Sequence, residues 1–166
     1  MPENELIRLY DDENASSLIG HEIGVSRWIP ITQNLITDFG VNTQDPDPAH
    51  IDPAWAEQHS SYGTTIAFGF LTVSLLTTML NEIVARPGDE VSTLNYGFDR
   101  LRLLSPVRVG SRIRGRFILK EMALRSPTQF RVNYAVTVEI ENEDKPALVA
   151  DWLCITNVRN ARSYSV

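Results

Sequence analysis

Cysteine is nearly absent. The 166 residues contain one, Cys154, so no internal disulfide can form and nothing marks the chain as a secreted disulfide scaffold. Its neighbours Asp151, Trp152, Leu153 and Ile155 suggest a buried strand thiol rather than a nucleophile. Positive charge is scarce where a signal peptide needs it: Glu3, Glu5, Asp11, Asp12 and Glu13 face Arg8 alone, with no apolar run, and the expected compartment is the cytoplasm. Nine glycines and nine prolines are too few for a collagen-like or low-complexity chain. With 43% hydrophobic and 22% charged residues, the composition is that of an ordinary globular protein, expected as a single domain over residues 1–166. Histidine is limited to His21, His50 and His59, so a metal site would need carboxylates, and no spacing recommends one. Phosphate-binding glycine loops, paired-histidine zinc motifs and serine-nucleophile elbows are missing as well.

Charge is distributed unevenly. Residues 1–95 hold 3 Lys and Arg against 14 Asp and Glu, whereas residues 96–166 hold 12 against 7. Anionic partners therefore belong with the second half. On a strand, Arg112, Arg114 and Arg116 share one face while Ile113 and Phe117 share the other. That face is either a solvated outer sheet surface or a phosphate site for a cofactor-sized ligand. Nucleic acid is not expected, because the protein is acidic overall and no aromatic platform accompanies the arginines.

Periodicity then orders the chain. The first twenty residues read as a loose or short helical lead-in. Residues 22–31 read as a strand, and Thr32 offers an N-cap to a short helix that should end near Gly40. Pro46 and Pro48 make residues 42–50 a shaped loop, and Asp52-Pro53 opens another short helix. From Ser60 to Asn81 no residue is charged, yet eight Ser and Thr and the lack of basic anchors favour a helix buried in a globular core over a membrane span. Residues 91–104, 112–124, 129–141 and 147–158 are alternating runs separated by turn signals, expected as an antiparallel meander. A sheet of that length and one apolar helix bury each other only if the sheet wraps the helix, an α+β architecture.

Asp45 and His50 are the pair that could carry chemistry. Asp45 and Asp47 each precede a proline, which stiffens the loop. Fully stretched, that span would be roughly 17 Å, so the loop must bend if both side chains are to share one water. An imidazole and a carboxylate so held can take a proton from water and deliver one to carbon. Asp-Pro is equally a common turn former, Asp52 is most simply a helix cap, and His21 and His59 read as ordinary surface or half-buried residues.

The stretch Thr43–Ala56 (TQDPDPAHIDPAWA) resembles the hydratase motif of the MaoC-like dehydratases, the (R)-specific enoyl-CoA hydratases. Gly63–Leu76 is similar to the start of that family's central helix, and Asn95–Gly110 to its following strand and turn, in the form of the nodulation-protein-N-like branch. Together the similarity runs over residues 6–158. It implies a hot-dog fold, a homodimer with the acyl thioester at its interface, and reversible hydration of a trans-2-enoyl thioester, on coenzyme A or an acyl carrier protein, to the (3R)-3-hydroxyacyl thioester. Coenzyme A would enter as part of the substrate, with no cofactor, no metal and no membrane partner. Asp45 and His50 occupy the positions of the catalytic pair, and Phe68 a pocket-wall position where the family usually has His; Gly69, near the start of the buried helix, is either an oxyanion donor, with an unpaired amide and room for close approach, or a packing glycine. Asp47 stands where Asn is common, adding a negative charge beside Asp45. Two rivals share the resemblance: a module that binds an acyl thioester without converting it, and a thioesterase.

Overall fold

The computed structural model describes residues 6–10 and 15–160. The acidic positions Glu3, Glu5, Asp11, Asp12 and Glu13 lie outside the described residues. Within the lead-in, residues 15–18 form one helical turn, α1 (Ala15–Leu18). The strand expected over 22–31 is split into β1 (Glu22–Val25) and β2 (Ile29–Pro30), both paired with β4.

Four long strands follow the alternation closely: β3 (Glu90–Leu103), β4 (Arg112–Ser126), β5 (Gln129–Ile140) and β6 (Leu148–Val158). In β5, and in β4 as far as Leu119, where the register shifts, every second residue is buried, so one sheet face is the core and the other is open. Phe117, Leu119, Val132 and Val138 stand on the covered face with 0% exposure.

Pairing departs from a simple meander. The order is β1-β4-β5-β6-β3, so β3 lies at the far edge against β6 rather than beside β4. Alternation fixes which face a strand buries but not which strand lies next to it. Residues 104–111, which carry a turn at Ser105-Pro106, take the chain from one edge region to the other.

The central helix is shorter than expected and interrupted. Residues 60–68 are largely non-helical, and the helix runs as α5 (Gly69–Ser74) and α6 (Leu76–Asn81), joined at Leu75, whose backbone is itself right-handed helical. Leu71, Leu76 and Met79 are buried in the core, while Phe70, Ser74, Thr77 and Thr78 are exposed. The uncharged segment is therefore a one-sided stripe, its Ser and Thr lying mostly on the open side. Sheet and helix together form the hot-dog arrangement.

Candidate active site

Three short helices present the candidate residues. α2 (Gln33–Thr43) begins at Thr32, whose hydroxyl accepts from the Leu35 N–H at 3.2 Å as the cap expected there. It does not stop at Gly40. Gly40 is buried within the helix, and a Cβ there would lie 2.9 Å from the Asp45 carbonyl oxygen, 3.0 Å from Phe68 Cζ and 3.1 Å from Ile51 Cγ2. Its missing side chain is a packing requirement, not a stop signal.

The helix ends three residues later with Gln44 in the left-handed region, φ 57°. The Gln44 N–H donates to Val41 O at 3.2 Å and the Asp45 N–H to Gly40 O at 2.9 Å, the two bonds of a Schellman motif. Asp45 is thus held by its own backbone just beyond the helix, with its side chain exposed.

One helical turn then forms inside the segment expected as loop: α3 (Pro48–Ile51), with Pro at its first position. Its cap is Asp47, whose Oδ1 accepts from the Ala49 N–H at 2.8 Å. The charge expected beside Asp45 is therefore committed to starting α3. Asp52 caps α4 (Pro53–His59) in the same way, accepting from the Trp55 N–H at 3.0 Å.

His50 sits on α3 and is fixed at four points. Its Nδ1 lies 2.7 Å from the Ile66 carbonyl oxygen. A carbonyl only accepts, so Nδ1 carries the hydrogen, and in the neutral ring Nε2 is left with its lone pair. The ring lies against Phe68, centroids 3.9 Å apart. Its backbone N–H donates to Asp47 O at 3.0 Å, and its carbonyl accepts from Gln33 Nε2 at 2.8 Å. Gln33 in turn accepts from the Thr65 hydroxyl at 2.5 Å, tying α2, α3 and the strand-like segment before α5 together. Gln33 was not legible as a site residue, because the contact spans seventeen positions and no motif marks it.

His50 and Gly69 meet on the wall of one cavity, about 670 Å³ with its open mouth, which Tyr62, Thr72, Leu103 and Val107 also line. Gly69 opens α5, and a Cβ there would overlap the Leu103 side chain. Phe68 lies behind that wall, 6% exposed, with Phe39 on one side at 5.3 Å and His50 on the other. Aromatic packing under the imidazole, rather than contact with the cavity, is what this side chain supplies. Asp45 is not on the cavity wall; its carbonyl oxygen and the Phe68 ring both close on the space that a side chain at Gly40 would fill.

The arginine face is an ion-paired surface. Arg112 pairs with Glu141, Arg114 and Arg116 pair with Glu139 at 2.7 and 2.9 Å, and Arg116 also reaches Glu22. Arg114 additionally covers the Trp28 ring at 4.4 Å. Burial alone would raise the Glu139 carboxyl; hydrogen bonds from Arg114 and Arg116 outweigh it and hold the group below the ordinary carboxylate range. Of the two readings of this face, the solvated outer surface is the one the pairing supports. Cys154 is buried on β6, where desolvation pushes its thiol up to about 12. His21 and His59 are exposed, the latter stacked on Trp55 at 5.0 Å.

A six-stranded antiparallel sheet around a short central helix, with a histidine-bearing turn over the helix's N-terminal end, defines a hot-dog protein. The chain belongs to the MaoC-like domain family, whose model matches residues 14–141. Nodulation protein N of Rhizobium meliloti (strain 1021) is 46% identical over 142 residues, covering 86% of this chain and 88% of that protein. The 3-hydroxyacyl-thioester dehydratase Z of Mycobacterium tuberculosis (strain ATCC 25618 / H37Rv) is 35% identical over 132 residues, 80% of this chain and 86% of that one. Among solved structures, the unliganded R-hydratase PhaJ1 from Pseudomonas aeruginosa aligns with a TM-score of 0.68 at 21% identity, covering 85% of this chain and 83% of that one. That likeness concerns the fold.

Proposed function

We propose that the protein adds water reversibly across the C2–C3 double bond of a trans-2-enoyl thioester, giving the (3R)-3-hydroxyacyl thioester. The observation that carries this reading is the 2.7 Å contact of His50 Nδ1 with the Ile66 carbonyl in a residue that lines the cavity, from which we infer a neutral ring with its lone pair on Nε2. His50 takes a proton from water as its oxygen bonds to C3. Asp45, which stands outside the cavity lining and would have to reach in from the end of α2, enters protonated, helps to order that water and gives its proton to C2; the proton on His50 then restores it through solvent. The addition is redox-neutral and consumes no cofactor; coenzyme A or a carrier protein only bears the acyl group. Negative charge gathers on the thioester oxygen, which the backbone amide of Gly69 receives where the lack of a side chain allows close approach. Membership of a family that includes a 3-hydroxyacyl-thioester dehydratase among this chain's relatives supports the substrate class.

Arg108 is exposed and its backbone bridges to Ile66, next to the cavity, so it is the arginine we assign to a phosphate of coenzyme A or an acidic carrier surface. A homodimer is supported by the outer edge of β3, unpaired among the described residues and carrying Val91, Leu94, Tyr96 and Leu103, each more than half exposed.

The test is purified protein with crotonyl-CoA, following loss of the conjugated thioester absorbance. Wild type turns it over; His50→Ala and Asp45→Asn each fall by about 10² to 10⁴. Wild-type rates in both variants would remove the assignment, tight binding with no turnover in wild type would establish a binding module, and release of free thiol a thioesterase.

A further inference from the structure

The helical wall of the His50 cavity comes from α5 alone, through Gly69 and Thr72; a second cavity, of about 110 Å³, lies further along the helix against Thr77, Leu80 and Asn81 of α6. Four polar side chains line the His50 cavity: His50 itself, Tyr62, Thr72 and Ser105. Tyr62 is 41% exposed and His50 and Ser105 are half-buried, so solvent serves them readily. Thr72 differs, being 3% exposed.

The Thr72 hydroxyl has no hydrogen-bond partner among the described residues. Serine and threonine inside helices often bond back to the carbonyl four positions earlier, as Ser74 does to Phe70 O at 2.8 Å. Thr72 makes no such bond; Phe68 O accepts instead from the backbone N–H groups of Leu71 at 3.1 Å and Thr72 at 3.4 Å. Nor is the hydroxyl sealed in. The fully enclosed orphan atoms among the described residues are Glu90 Oε2, Asn133 Oδ1 and Trp152 Nε1, so the Thr72 oxygen opens on the cavity that its residue lines. A buried hydroxyl left without a partner costs free energy, and a ligand atom that supplies the bond recovers it.

Its place on the helix indicates which ligand atom it meets. Residues three apart are neighbours on a helix surface and their side chains tilt toward its N-terminus, so Thr72 leans over the turn that Gly69 opens. The Gly69 N–H also lacks an acceptor among the described residues, as the first N–H of a helix does. Amide and hydroxyl are therefore two unspent donors on one turn of one wall. We propose that Thr72 is a second donor to the carbonyl oxygen of the bound acyl thioester, beside the Gly69 amide, an assignment that rests on the hydration reading above. The hydroxyl keeps its proton throughout and gives only a hydrogen bond, which strengthens as negative charge gathers on that oxygen in the transition state.

Thr72→Val removes the hydroxyl and keeps the shape, whereas Thr72→Ser keeps the hydroxyl. With crotonyl-CoA, kcat should fall about 10- to 10²-fold in Thr72→Val and stay within about threefold of wild type in Thr72→Ser. Two unreactive ligands separate contact from scaffold: butyryl-CoA carries the carbonyl oxygen, and the thioether S-butyl-CoA lacks it. In titration calorimetry Thr72→Val should bind butyryl-CoA about three- to tenfold more weakly than wild type and S-butyl-CoA equally well. The proposal is overturned if Thr72→Val keeps the wild-type kcat and butyryl-CoA affinity, if both ligands weaken alike, or if Thr72→Ser is as impaired as Thr72→Val. Should Thr72→Val not fold, Thr72→Ala is read on the same pair of ligands. Wild-type protein that binds both ligands but leaves crotonyl-CoA unchanged defeats the hydration reading alone, and the two-ligand comparison still decides the role of Thr72.

Discussion

The helical segments before α5 and the sheet after α6 use polar residues in opposite ways. Between Thr32 and Ser60 most act locally, Thr32, Asp47 and Asp52 each starting a helix, while Gln33 reaches across seventeen positions to lock one turn to another. In the sheet they act between strands, Arg112, Arg114 and Arg116 of β4 meeting Glu139 and Glu141 of β5. The acidic bias of the first half is partly capping, and the basic bias of the second is partly absorbed by pairing. Local capping bonds place a side chain accurately, whereas ladders of exposed ion pairs contribute little individually. The catalytic candidates belong to the region built by the first method.

This contrast can be broken at graded cost. The largest effect is expected from Gln33→Ala, which frees the His50 carbonyl and the Thr65 hydroxyl; kcat/KM for crotonyl-CoA should fall about 10²-fold while the circular dichroism spectrum is kept. Gly40→Ala comes next. The added methyl meets the Asp45 carbonyl and the Phe68 ring, and chemical denaturation should show a loss of about 1–3 kcal/mol along with reduced turnover.

On the sheet, effects should be smaller and depend on conditions. The folded-state pKa of Glu139 lies below its ordinary 4.5, so its contribution is present above that value and is lost as pH falls through the lower folded value. Thermal melts between neutral pH and pH about 3 should therefore show a shallower acid limb for Glu139→Gln than for wild type. Arg112→Ala should leave both the melting temperature and the KM for acyl-CoA unchanged, since this exposed arginine pairs only across the surface. A rise in KM there would reinstate the phosphate reading of that face.

The same contrast explains what could be read from residue order. Strand extents came through almost unshifted, 112–124 against β4 to Ser126 and 129–141 against β5 to Ile140, because alternation is local. The neighbour of β3 did not, since no local signal says that Leu94 will face Ile155. Thr32 and Asp52 were legible as caps for the same reason that the strands were. Gly40 was misread as a terminator because its role is set by Asp45, Ile51 and Phe68 closing on it from other segments. The break at Leu75 and the support of His50 by Phe68 and Gln33 are likewise tertiary facts.

The joint at Leu75 divides labour along the rod. Upstream of it, Gly69 and Thr72 border one chamber; downstream, Thr77, Leu80 and Asn81 border the other. Each chamber thus draws its helical border from a different stretch of the rod, and no side chain is common to both linings.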